Sequence, residues 1–203
     1  MGTSSAEARS THDCAPPHLL RHGQSEYQAT YDVTGVDPGI EDPRLTELGR
    51  AQVRAAAEAV RQLDLDLIVA SPFTRTLDTA LSVSEDGAIP IVVNATVRER
   101  LSDSSDVGRP ASVLAGGYPM LDVAHLEEVW WTGGGVPDES DVLVESHAHM
   151  AMRVSAFLEW LRVREERSVL LVSHQGFMRS LSRISPENCV LYEFDPTDRS
   201  IGG

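Results

Sequence analysis

The chain contains no lysine, and all 17 of its basic residues are arginine. That absence removes every chemistry that needs a side-chain amine. Schiff-base catalysis, a pyridoxal phosphate site and a Walker-type phosphate loop each require a lysine, and kinases of the usual kinds go with them. Cysteine is scarce too. Cys14 and Cys189 stand far apart in the chain, which makes neither a metal knuckle nor a disulfide framework and points to a reducing cytoplasm. Aromatic residues are only 5% of the chain, so an aliphatic core is expected. No apolar run is long enough to cross a bilayer. The formal net charge of −14 argues against nucleic acid and against an anionic membrane as partners, because both reward a basic face.

What remains is organised like a globular domain. Residues 1–16 are small, polar and broken by prolines; without the apolar centre of a signal peptide they read as a disordered tail. Residues 17–203 suffice for a single catalytic domain with a proper core. Apolar runs at 19–21, 65–70, 89–93, 169–173 and 190–194 read as strands. Helical periodicity covers 46–63 with Thr46 as N-cap, 72–83 with Ser71 as N-cap, 143–161 and 176–183. Residues 23–43 read as a polar loop. The alternation predicts an α/β fold: a three-layer sandwich with a mostly parallel central sheet flanked by helices. At about 100–140 the period is lost among glycines and prolines, which marks an irregular insertion. Trp130-Trp131 within it reads as an anchor rather than a substrate platform.

Chemistry concentrates where strands end. Arg21-His22-Gly23-Gln24-Ser25 closes the first strand, and Ser173-His174-Gln175-Gly176 closes a later one. If the two strands are neighbours, both imidazoles leave the sheet at one edge. A neutral imidazole nitrogen is a good nucleophile towards phosphorus, and an adjacent arginine both neutralises phosphate oxygens and favours the unprotonated ring. Gly23 would let the backbone approach an anion, and Ser25 offers a hydroxyl. Arg75 falls in a first helical turn, where guanidinium and free helix N–H groups could face one anion together. His174 would donate to a phosphoryl oxygen in the transition state. Glu99, just beyond the third strand, suits a general acid, though Glu26, Glu85 and Asp103 are other acids in loops. His147-Ala148-His149 is no metal pair, since residues two apart on a helix diverge; His147 is expected in the core and His149 in solvent. No metal site and no cofactor are expected.

Taken together, LLRHGQSEYQ, DPRLTELGRAQ, ASPFTRTLDTA, VRE at 97–99 and VSHQG fall in an order and spacing that resembles the histidine phosphatase superfamily, also called phosphoglycerate mutase-like, over roughly residues 18–180. The resemblance implies a phosphate pocket of Arg21, His22, Arg75 and His174, with His22 as nucleophile and Glu99 as proton donor. It adds Gln28 as a phosphate ligand, where the family often carries Asn, and it puts Gln175 where the family often has Gly. The implied activity is metal-independent hydrolysis of a small phosphate ester through a phosphohistidine. Two alternatives stand beside it: mutase-type phosphoryl transfer, and a non-catalytic phosphate or phosphoprotein-binding module. Hydrolysis is favoured because residues 100–141 hold only Arg100 and Arg109 as cations against eight acids, and an acidic lid repels a polyanionic substrate. The sequence leaves a homo-oligomer open.

Overall fold

The first apolar run forms strand β1 (His18–Arg21), and the chain passes almost directly into a helix, α1 (Glu26–Thr34). The expected polar loop is therefore corrected, for a local reason. Ser25 Oγ accepts from Gln28 N and Gln28 Oε1 accepts from Ser25 N, both at 3.3 Å, which is a complete capping box. Gly35, with φ at 65°, ends the helix in the left-handed region that glycine tolerates. Tyr27 is the single buried residue of α1, so there was no apolar stripe for periodicity to detect. The computed structural model describes residues 16–85, 87–133, 135–137 and 143–196; all but the last residue of the expected N-terminal tail lie outside them.

Helix α2 (Glu47–Val60) starts on the predicted Thr46 cap. After strand β2 (Leu67–Ala70), helix α3 (Thr74–Val83) starts later than the Ser71-Pro72 pattern implied. The Ser71 hydroxyl is engaged by His174, and Phe73 occupies the N-cap position without a side-chain bond. Asp42 supplies the cap from a distant loop, accepting from both Thr74 N and Thr74 Oγ1. Strand β3 (Ile91–Val93) leads into the insertion. That segment holds 3-10 turns at Ala95–Val97 and Ser104–Asp106, helix α4 (Ala111–Gly117) and strand β4 (Gly135–Pro137). Strand β5 (Leu143–Glu145) pairs antiparallel with β4, so the helix expected from residue 143 begins only at α5 (His147–Arg162), capped by Ser146. Strand β6 (Val169–Ser173), helix α6 (Gln175–Ser182) and strand β7 (Leu191–Glu193) follow.

The sheet order is β3-β2-β6-β1-β7. The first four strands are parallel and β7 is antiparallel at the edge, as the predicted three-layer fold requires. Alternate side chains serve opposite faces. Leu20, Ile68, Leu170 and Val172 meet Val53, Val60, Leu77 and Ala80 of α2 and α3 on one side. Leu19, Val69 and Leu171 meet Val154, Phe157, Phe177 and Met178 of α5 and α6 on the other. Burial on both faces is why these strands read as continuous apolar runs. Each fully buried Leu or Phe contributes roughly 1.5–3 kcal/mol.

Two points, among several, pin the insertion and the strand after it to this core. Trp130 is buried edge-on against Phe73, with ring centroids 4.8 Å apart, and its Nε1 donates to Arg109 O at 2.8 Å. The anchor reading of the tryptophan pair holds for Trp130. The second point is Glu145, fully buried at the end of β5. Its carboxylate receives Arg98 Nη1 at 2.8 Å, Arg153 Nε and Nη2 at 2.7 Å each, and the ring of His149. Burial by itself would raise its pKa, but the bonds from Arg153, Arg98 and His149 outweigh it and hold the group down at about 2.

A folded-state value below the ordinary 4.5 means that this stabilisation is complete above pH 4.5 and is lost as pH falls through about 2. Glu145→Ala leaves two buried arginines without their counter-ion and is expected to cost roughly 3–5 kcal/mol near neutral pH. Urea denaturation of both proteins checks this, and the gap between them should narrow as the titration is repeated at increasingly acid pH.

Candidate active site

Strand register builds the site. Arg21 of β1 lies opposite Ser173 of β6, and His22 N donates to Ser173 O at 3.1 Å. The next residue on each strand is a histidine, so His22 and His174 emerge side by side, ring centroids 5.1 Å apart. Both are buried, at 4% and 0% exposure. Burial lowers the pKa of each well below the usual histidine value, and the charges of Arg75 and Arg21 push in the same direction. Both rings are therefore neutral at physiological pH.

Hydrogen bonds orient the two rings differently. His22 Nδ1 lies 2.8 Å from Gly23 O. A carbonyl only accepts, so Nδ1 carries the proton and Nε2 keeps the lone pair. His174 Nε2 pairs with Ser71 Oγ at 2.8 Å, and its Nδ1 is buried without a partner, as is Arg21 Nε. Unpartnered buried polar atoms are rare in folded proteins, and Arg21, which carries one of them, lines the cavity of this site.

Arg75 sits in the first turn of α3, as predicted, and is 3% exposed. Its guanidinium lies 4.3 Å from the centre of the Phe73 ring, and Nη1 donates to Ser105 O at 2.8 Å. The helix amides expected to join it are engaged elsewhere: Thr74 N by Asp42, Thr76 N and Leu77 N by Phe73 O. Glu99 closes the site from the other side. Its Oε2 accepts from Gly176 N at 2.8 Å, and Oε1 from Phe177 N at 3.1 Å and Arg100 N at 2.8 Å. The carboxyl group thus sits on the N-terminus of α6, directly after His174. A Cβ on Gly176 would fall 2.3 Å from Glu99 Oε1, so only glycine admits this carboxyl group.

Arg21, His22, Arg75, Glu99, Ser25 and Gln28 all line one cavity of about 620 Å³. Ser25 and Gln28 reach it while also capping α1. His174 does not line it; its buried ring packs edge-on against that of His22. Three expectations are corrected. Gly23 serves close packing rather than an anion: a Cβ there would meet Gly49 O of α2 at 2.6 Å. His147 is exposed at the cavity instead of in the core, because α5 starts there and not four residues earlier, and His149 is half-buried on Glu145. Gln175 lines the cavity with its amide turned to Ser185 Oγ at 2.9 Å.

Sequence reasoning missed three members. Asn188 donates to His22 O at 2.7 Å and to Gln28 Oε1 at 3.2 Å from the turn before β7. Ser71 fixes His174, and Asp106 faces Arg75. None stands in a local pattern that marks it; only the Ser71 position, at the end of β2, was suggestive. The acidic lid also contracts. Of its eight acids, Asp103 and Asp106 line the cavity; Asp138, Glu139 and Asp141 lie outside the described residues. Four arginines (21, 75, 100 and 179) face four carboxylates (Asp32, Glu99, Asp103 and Asp106) around the cavity. Among the described residues no group of three or more His, Cys, Asp or Glu is placed to hold a metal ion, and no helix is long and apolar enough to cross a membrane.

The glucosyl-3-phosphoglycerate phosphatase of Mycobacterium tuberculosis is 33% identical over 166 residues, covering 81% of this chain and 72% of that protein. Phosphoserine phosphatase 1 of Hydrogenobacter thermophilus is 30% identical over 167 residues, covering 80% and 72%. A solved structure of the mycobacterial glucosyl-3-phosphoglycerate phosphatase in complex with VO3 superposes with a TM-score of 0.54 at 29% identity, covering 82% of this chain and 79% of that one. The family model of the histidine phosphatase superfamily (branch 1) matches residues 18–186, and the chain belongs to that superfamily.

Proposed function

We propose that this chain is a phosphomonoesterase that hydrolyses a small phosphate ester through a phosphohistidine on His22, without a metal. The observation that carries the reading is the pair of buried, neutral imidazoles in register, one with its Nε2 lone pair free, between Arg21 and Arg75. A neutral ring is the nucleophilic form, so no base is needed to activate it. Arg21, Arg75 and His174 hold the equatorial oxygens, with Ser25 and Gln28 as further ligands at the cavity wall. His22 Nε2 forms the bond to phosphorus as the ester P–O bond breaks, and the leaving oxygen takes the proton from Glu99. Glu99, now a carboxylate, takes a proton from water. The hydroxyl attacks phosphorus, the P–N bond breaks, and phosphate leaves with His22 neutral again.

Substrate size and class follow from the wall and from the relatives. The cavity exceeds a phosphoryl group several-fold and mixes Tyr27, Arg100 and Arg179 with Asp32 and Asp103, which suits a polar ester of a small acid, amino acid or sugar. The relatives' names include a phosphorylated amino acid and a glucosylated phosphoglycerate. We place the enzyme in the cytoplasm, the compartment to which two scattered cysteines point.

Two measurements test this reading. Hydrolysis of p-nitrophenyl phosphate, phosphoserine and 3-phosphoglycerate in excess EDTA should proceed in the wild type and be abolished in His22→Ala, with circular dichroism unchanged; activity surviving in the variant would overturn the mechanism. In Gly176→Ala, the new methyl group displaces the Glu99 carboxyl, the movable end of a flexible side chain. Turnover is expected to fall by roughly a hundredfold, the cost of a displacement of about 1 Å, while the melting temperature stays within a few degrees of wild type.

A further inference from the structure

The mechanism leaves a second carboxyl group of the cavity, this one buried, without a role. Asp106 closes the 3-10 turn at Ser104–Asp106, is 4% exposed, and lines the cavity. Its Oδ2 accepts from Ser102 N and Asp103 N, each at 3.2 Å, which ties it to the loop that continues from Glu99. Its Oδ1 lies 3.4 Å from Arg75 Nη2, long for a charge-assisted pair. The same turn provides Ser105 O, the carbonyl that receives Arg75 Nη1. The guanidinium assigned to phosphate therefore rests against one short turn by both of its terminal nitrogens.

The groups around Asp106 act in opposing directions. Burial raises its pKa most, and the charges of Glu99 and of Asp103 on its own turn add to that. Arg75 from α3 and the backbone N–H of Ser102 act the other way, with Arg98 a further cation in range and the Tyr27 phenol of α1 beside it. The balance leaves the group raised to about 7. Any phosphate seated on Arg75 would then change that balance.

We propose that Asp106 is the positioning residue of the phosphate pocket, holding Arg75 in place and taking a proton from solvent when a phosphate-like dianion binds. The inference rests on the reading of Arg75 as a phosphate ligand. A bound dianion brings like charge beside the carboxylate and competes for its counter-ion, and both effects favour the neutral acid. Below about pH 7 the free protein already holds the proton, so binding has none to collect. Above it, binding must draw a proton from solution, and affinity falls as pH rises.

Tungstate provides a clean probe, since it is tetrahedral and remains a dianion in neutral and alkaline solution. Calorimetric titration of the wild type is expected to show the dissociation constant weakening roughly tenfold between about pH 6.5 and 8.5, one unit of linked pKa. Repeating the titration at the alkaline end in two buffers of different protonation enthalpy should show proton uptake. Asp106→Asn should bind tungstate with no pH slope and no uptake, and Asp106→Glu should restore the slope. If the Asn variant does not fold, Asp106→Ser, which keeps an acceptor for the turn amides, is read in the same way. A flat wild-type profile, or a slope that persists in folded Asn or Ser variants, overturns the proposal. Linked tungstate binding without ester hydrolysis would instead remove the proposed activity and leave this linkage standing.

Discussion

The parallel pairing of β1 with β6 is the constraint on which the site depends. His18 to Arg21 run alongside Leu170 to Ser173, and each strand hands its next residue to the same edge. A shift of one residue would move one histidine away and turn every apolar side chain of that strand to the opposite face. Two hydrophobic layers lock the register against that slip. Leu20 and Leu170 must face α2 and α3, and Leu19 and Leu171 must face α5 and α6. The geometry of the two imidazoles is thus a by-product of core packing, held by many buried side chains rather than by bonds within the site.

Burial does a second service. A histidine in water is partly protonated near neutrality, and the protonated ring is no nucleophile. Here the sheet edge, Phe73 and two arginines remove that state from both rings. The cations that would attract a phosphate also keep both rings in the neutral form that the proposed reaction requires. The site therefore concentrates positive charge in a chain of net charge −14 without charging its histidines.

The carboxyl groups depend on loop segments and on the start of α6 rather than on the sheet. Glu99 is held by the amides of α6, and its own carbonyl accepts from Arg98 at 3.0 Å and from Arg153 at 3.4 Å, both of which rest on Glu145. Asp106 hangs on the turn that receives Arg75, and Ser104 of that turn donates to Asp37 near the end of α1. Stability and site geometry share these polar contacts. Arg21 and His22 come from the end of β1 and Arg75 from the first turn of α3, while Glu99 and Asp106 come from segments braced by buried ion pairs.

The sequence alone was enough for the layered α/β plan, the parallel strands and five of the residues that line the cavity, through patterns a few residues long such as an apolar run, a strand-end histidine or a cap; Gln28 came from the family resemblance. It was less informative where the deciding partner is remote. Helix α1 is mostly polar and shows only its capping box; the start of α3 was misplaced because Asp42 caps it from 32 residues away; β5 was read as helix because its neighbour β4 lies in an aperiodic segment. Asn188, Ser71 and Asp106 acquire meaning only from the groups they touch. Tertiary structure alone brought Asp106 to the cavity beside Glu99 and decided which ring nitrogen of His22 is free. Both are settled by burial and by hydrogen bonds between segments far apart in the chain, which no local pattern encodes.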